Sequence, residues 1–140
     1  MSEKGFFAGM ANPMRNADGI AELEECIGVS LPGKDSDGKF FYYVFPGDEP
    51  GVCRGVQATF DSGWTFRVFR ESGEDVSGIW GGRELFRSTY DGVPIRVLTY
   101  GDIVYSVFSA GGLSCSCTVE DAAPINIVSA SLRVIRKIRK

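Results

Sequence analysis

Three dipeptides spaced ten residues apart, Asp91-Gly92, Gly101-Asp102 and Gly111-Gly112, force the chain between them to fold back on itself three times. Two-residue hairpin loops need positive φ at their central positions, which glycine and aspartate supply at least cost. Four strands follow. If each dipeptide is the whole loop, Tyr90 faces Val93, Tyr100 faces Ile103 and Ala110 faces Leu113, and the alternation of side chains along a strand assigns every other residue to a face. One face gathers Phe86, Val93, Ile95, Val97, Val104, Phe108, Leu113, Cys115, Cys117 and Val119, the predicted core face. The other takes Arg87, Thr89, Arg96, Ser109, Ser114, Ser116 and Thr118, with a mixed patch of Leu98, Tyr100, Ile103, Tyr105 and Val107.

The same logic reads an earlier hairpin around Asp61-Ser62-Gly63, whose glycine suits the left-handed position of a three-residue bulged loop. Phe60 then meets Trp64, Ala58 meets Phe66 and Val56 meets Val68, with Thr59 opposite Thr65 and Gln57 opposite Arg67 on the wetter side. The strand before it, Phe40 to Phe45, is aromatic on both faces, which predicts a central strand or one covered on its second side. Two helices complete the reading. Asp18 is the expected N-cap of a short one over Gly19 to Ile27, stopped by Gly28, with Ile20, Leu23 and Ile27 on one side. A second opens at Asp121 to Pro124 and carries an apolar stripe of Ile125, Val128, Leu132, Ile135 and Ile138, the natural cover for the core face. Residues 1–17 lack periodicity and read as a loosely held arm, Asn12-Pro13 marking a turn.

A chain of 140 residues is one domain, residues 1–140, and a domain of this size buries about 70% of its unfolded surface without needing staples. No apolar run approaches the roughly 20 residues that span a bilayer. Net charge is −3, but Arg133, Arg136, Lys137, Arg139 and Lys140 crowd the last eight residues, so the rest of the chain carries −8. That acidic body speaks against nucleic acid as a partner. The five terminal cations offer a contact for an anionic membrane surface, although the commoner role of such residues is to complement the dipole of a closing helix. Met1 to Phe7 hold acidic Glu3 and no secretory pattern, so the chain as written reads as cytoplasmic.

Chemistry is sparse. With no histidine, the usual base for a serine or cysteine nucleophile is missing, and the five lysines Lys4, Lys34, Lys39, Lys137 and Lys140 sit in termini or loops. Cys26, Cys53, Cys115 and Cys117 form no CxxC and have no histidine to complete a zinc set; spacing alone leaves their pairing open. Asp35, Asp37, Asp48 and Glu49 lack the calcium-loop spacing, and Glu71, Glu74 and Asp75 form an acid-base pair only if buried. Hence no catalytic residue, metal ligand or cofactor is assigned. The oddest local feature is Gly78-Ile79-Trp80-Gly81-Gly82, a tryptophan among glycines, either folded over the sheet edge or held out for binding.

The segment Gly9-Met10-Ala11-Asn12-Pro13-Met14, the helix Ile20 to Ile27 and the exit Gly28-Val29-Ser30-Leu31-Pro32 together resemble a family of uncharacterised bacterial domains, often found behind a lipoprotein or export signal. In that family a "GM-NP" start leads to a short acidic helix, a "G-x-x-L-P" exit and antiparallel strands. Thr65-Phe66-Arg67-Val68 and Glu74 to Trp80 are similar to its "Y-x-Y-R" strand and "D-I-S-G-x-Y" stretch, so the likeness covers residues 9–119 and, more loosely, the terminal helix. The resemblance implies a sheet with helices, no catalytic residues to carry over, and an extracytoplasmic setting. This chain departs from it in its missing export signal, its four cysteines and its basic terminus.

The expected fold is α+β: a curved antiparallel meander of six or seven strands packed on a C-terminal helix, with a short N-terminal helix, or else a small sandwich or partly open barrel. The expected function is a non-catalytic binding or sensing module for a protein or small ligand. Its surface would be Leu98, Tyr100, Ile103, Tyr105 and Val107 with Trp80. The competing expectations are a small enzyme using loop carboxylates and a peripheral membrane contact through the basic helix.

Overall fold

The computed structural model describes residues 15–33, 40–47, 53–60, 63–70, 75–120 and 124–139, and in them a single antiparallel sheet of eight strands and two helices. In chain order these are β1 (Arg15–Ala17), α1 (Ile20–Ile27), β2 (Phe40–Pro46), β3 (Cys53–Phe60), β4 (Trp64–Phe69), β5 (Arg83–Tyr90), β6 (Val93–Tyr100), β7 (Ile103–Ala110), β8 (Leu113–Glu120) and α2 (Pro124–Ile138). Their order across the sheet is β1-β2-β3-β4-β8-β7-β6-β5. The sheet is therefore two meanders joined where β8 returns to β4, not one continuous meander. The eighth strand, β1, lies in the stretch expected to be a loose arm, where Asn16 pairs with Tyr43.

Every hairpin closes in the register that its turn residues demand. Tyr90 faces Val93, Tyr100 faces Ile103, Ala110 faces Leu113 and Phe60 faces Trp64. Asp91 takes φ 51° and Gly92 φ 80°, the pair of left-handed residues that lets a two-residue loop follow the twist of its strands. One row of register partners, Ala17, Tyr42, Ala58, Phe66, Cys117, Ser106, Val97 and Phe86, crosses all eight strands on the core face. The adjacent row on the second face is Asn16, Tyr43, Gln57, Arg67, Ser116, Val107, Arg96 and Arg87. Alternation thus separates a mostly apolar row from a mostly polar one, and all ten residues of the expected core face pack into one core.

Both helices lie on that face. Helix α1 buries Ile20, Leu23 and Ile27 against β2 and β3, while α2 covers β6, β7 and β8. Gly28 ends α1 in the left-handed conformation with its N–H on the Glu24 carbonyl. Asp18 does not cap the helix with its side chain; instead its amide donates to Glu22 Oε1 at 3.0 Å, so the glutamate satisfies the chain's entry to the helix from inside.

Helix α2 is turned relative to the expected stripe. Ile127, Val128, Ser131, Val134, Ile135 and Ile138 face the sheet, while Ile125 is 61% exposed and Leu132 half-buried. A buried serine would normally oppose this orientation. Ser131 escapes the cost because its hydroxyl donates to the Ile127 carbonyl at 2.7 Å and meets Ser106 Oγ on β7 at 2.7 Å. Ser106 in turn accepts the Cys117 amide at 3.2 Å, so every member of the buried polar cluster is paired.

Cys26 and Cys53 form a disulfide that joins the end of α1 to the start of β3. Arg70 reinforces the same junction, its guanidinium donating to the Cys53 carbonyl at 2.8 Å and to the Cys26 carbonyl. Cys115 and Cys117 are free and buried on the core face, where loss of hydration pushes both thiols up, that of Cys117 to about 12. They pack as small apolar groups.

Candidate functional site

The β4–β5 connection decides which of the expected surface residues reach water. After β4 the chain returns as a strap, Asp75 to Gly82, over the second face before entering β5 at the far edge. Asp75 Oδ1 accepts the Ser77 amide at 2.9 Å and the Ser77 hydroxyl at 2.7 Å, and Ser77 Oγ accepts the Ile79 amide at 3.2 Å, which winds the strap into a tight turn. Val76 packs with Phe45 and Phe69 in a second small apolar cluster. Arg67 holds the middle: its Nη1 donates to the Val76 carbonyl at 3.3 Å, its Nε to Gln57 Oε1 at 2.8 Å, and its guanidinium stands 5.3 Å from the Phe45 ring centre. Gly78, at φ 77°, lies against that guanidinium with no room for a methyl group.

Gly82 lies on Tyr105. A methyl group built there would overlap the tyrosine hydroxyl and come within 2.7 Å of Cζ, so only glycine permits this approach. Tyr105 is consequently 1% exposed and Leu98, its register partner, 4%. Both are expected on an open patch; Tyr105 is instead covered by the strap, and Leu98 is buried beside it. Burial, and then the charge of Asp75, push the Tyr105 hydroxyl up from its ordinary value. Ile103 and Val107 are half-buried.

What remains in water is Trp80, 89% exposed, and Tyr100, 53% exposed. They belong together, since Gly81, next to Trp80, lies against the Tyr100 ring. The tryptophan is therefore not folded over the sheet edge. The glycines that made the segment conspicuous serve its neighbours: Gly78 and Gly82 let the strap sit close to the sheet while Trp80 stands off it.

Beyond the strap the second face carries a charged trio that the sequence reading missed. Arg87 and Arg96 are register partners, a placement the hairpin count already implied. Glu84 reaches them because a bulge at Leu85, between Glu84 and Phe86, shifts the alternation of β5 by one residue. Its Oε1 accepts from Arg87 Nη2 and Arg96 Nε, each at 2.8 Å, and its Oε2 from Arg87 Nε at 2.8 Å. Alongside runs an open groove of about 360 Å³ lined by Arg87, Thr89, Pro94, Arg96, Val107 and Ser109.

The two guanidiniums, Arg87 first and then Arg96, hold the Glu84 carboxyl down at about 2. A carboxylate lowered by folding contributes stability that is present in full above its ordinary value of 4.5 and is lost as pH falls toward 2. The Glu84 side-chain ¹³C signal is expected to titrate near that lower value and to move back toward 4.5 in high salt, because the group is exposed to screening. A midpoint near 4.5 at low salt would show that the trio does not form.

Asp35, Asp37, Asp48, Glu49, Glu71 and Glu74 lie outside the described residues, and Asp75 is occupied in the strap turn. Among the described residues no three histidine, cysteine or acidic side chains gather closely enough to hold a metal, and no helix is long and apolar enough to cross a membrane. Of the terminal cations, Arg133 stands 4.7 Å from the Trp64 ring centre, Arg136 pairs with Asp91 at 3.1 Å, and Arg139 donates to the Asp91 carbonyl at 2.6 Å. These three tie α2 to the sheet. Lys137 is half-buried, and Lys140 lies outside the described residues.

No family model, curated protein or solved structure matches the chain.

Proposed function

We infer that this is a non-catalytic binding domain that meets a protein or small ligand on the second face of its sheet, through Trp80 and Tyr100. The observation that carries the reading is the contrast within one strap. Val76, Ser77 and Gly82 are seated against the sheet, yet the largest side chain between them is held almost wholly in water. Burying a tryptophan is among the most favourable contacts available to a folded chain, and rigidly presented tryptophan and tyrosine dominate the binding energy of known interfaces.

The resemblance to exported bacterial domains over residues 9–119 fits such a role, and the Cys26–Cys53 disulfide supports the extracytoplasmic setting it implies, since such bonds persist in oxidising compartments.

A library of peptides and small molecules, screened by intrinsic fluorescence against the wild type and a Trp80→Ala/Tyr100→Ala variant, tests the reading. Ligands of this surface are expected to lose about 2 kcal/mol, roughly thirtyfold in affinity, in the variant. Circular dichroism should show its thermal midpoint unchanged, because neither ring is part of the core. Binding that survives both substitutions would refute the assignment.

A further inference from the structure

Arg87 and Arg96 place two like charges directly opposite each other, an arrangement that destabilises a sheet and that an anion between them relieves. Glu84 supplies one anion, delivered by the bulge at Leu85, and the trio keeps one positive charge in excess. That excess stands out in a chain whose first 132 residues carry −8. Glu84 engages Arg96 through Nε, and the two terminal amino groups of Arg96 make no hydrogen bond to a described residue.

The groove alongside has the size of a small-ligand site, and its lining combines apolar Pro94 and Val107 with the hydroxyls of Thr89 and Ser109. Ser116, the register neighbour of Val107 on β8, has a buried hydroxyl with no hydrogen-bond partner among the described residues. Such groups are rare in folded proteins.

We propose that this groove binds a small organic anion, a carboxylate carried on an apolar body, whose oxygens take the terminal N–H groups of Arg96 while the body lies on Pro94 and Val107. Guanidinium pairs with carboxylates through parallel N–H bonds, so a carboxylate completes the charge balance of the trio. A bare inorganic oxyanion would match the charge but leave the apolar lining uncovered. The site is distinct from Trp80 and Tyr100: Pro94 stands near the start of β6, and Tyr100 closes that strand at its other end, across the strap.

Two-dimensional ¹H–¹⁵N spectra of the full chain, titrated with acetate, benzoate or inorganic phosphate at constant pH and ionic strength, test the proposal. Benzoate should move the amides of Arg96, Val107 and Ser109 saturably, and bind more tightly than acetate or phosphate. Arg96→Gln should weaken benzoate about tenfold, the scale of one charge-assisted hydrogen-bond pair. Val107→Phe fills the groove beside Arg96 while keeping all three charged residues, and should weaken it as much, which keeps the test decisive if Arg96→Gln fails to fold. Shifts that do not saturate, or that persist in both variants, would overturn the site. Phosphate binding as tightly as benzoate would overturn the ligand class.

Discussion

Replacing Cys26 and Cys53 together by alanine is expected to remove about 3.5 kcal/mol of stability, the chain-entropy value for a bond that closes 27 residues. In a domain of this length that lowers the thermal midpoint by about 10 °C. Reductant should bring the wild type down to the variant's midpoint and leave the variant where it is, as differential scanning calorimetry would show. Loss of the bond removes only one of two ties at the junction, because Arg70 still holds the Cys26 and Cys53 carbonyls, so the variant should remain folded at room temperature. A wild type indifferent to reductant would mean that the bond is absent. Thiol titration gives an independent check. The native protein should expose no reactive thiol, since Cys115 and Cys117 are buried and held in the neutral form. Denaturation without reductant should release two, and with reductant four.

Gly82→Ala is expected to cost about 3 kcal/mol, the upper part of the range for adding a carbon to a packed site. The new methyl overlaps Tyr105, whose ring is buried and cannot swing aside. The chain's simplest escape is to lift the strap, which uncovers Leu98 and Tyr105 and displaces Trp80. Urea unfolding should therefore show lower stability, and amide exchange at Tyr105 and Leu98 should quicken. Tyr105→Ala in the same chain makes room for the methyl, so the two substitutions together should cost less than the sum of their separate effects. Strict additivity would show that the strap does not rest on Tyr105.

Much of the fold was legible because hairpins are local objects. The residues at Asp91-Gly92, Gly101-Asp102 and Gly111-Gly112 set loop length, loop length sets register, and register sorts side chains between faces without reference to the rest of the molecule. The core assignment of both late thiols followed from counting alone. Even the Arg87–Arg96 pairing was available by that route, although its meaning was not.

What escaped the sequence depends on contacts between distant segments. The return of β8 to β4 pairs Trp64 with Val119, 55 residues further along the chain, and pairing preference alone does not select it. The orientation of α2 hinged on Ser131, which looks like a poor core residue until Ser106 is found across from it. Glu84 joins the arginines only through a bulge, and a one-residue shift leaves no trace in the alternation pattern.

The sequence by itself determined the strands that meet at the tight turns, the faces of their residues up to the β5 bulge, and the positions of those turns, because each of these is decided by neighbours within one hairpin. Tertiary structure alone decided which part of the second face is open. The strap buries Tyr105 and leaves Trp80 out, and its course is set by where Arg67, Phe69 and Tyr105 come to lie once the two halves of the sheet have joined. Solvent exposure is a property of that assembly, since the hydration of a side chain depends on everything packed above it and not on the strand that carries it.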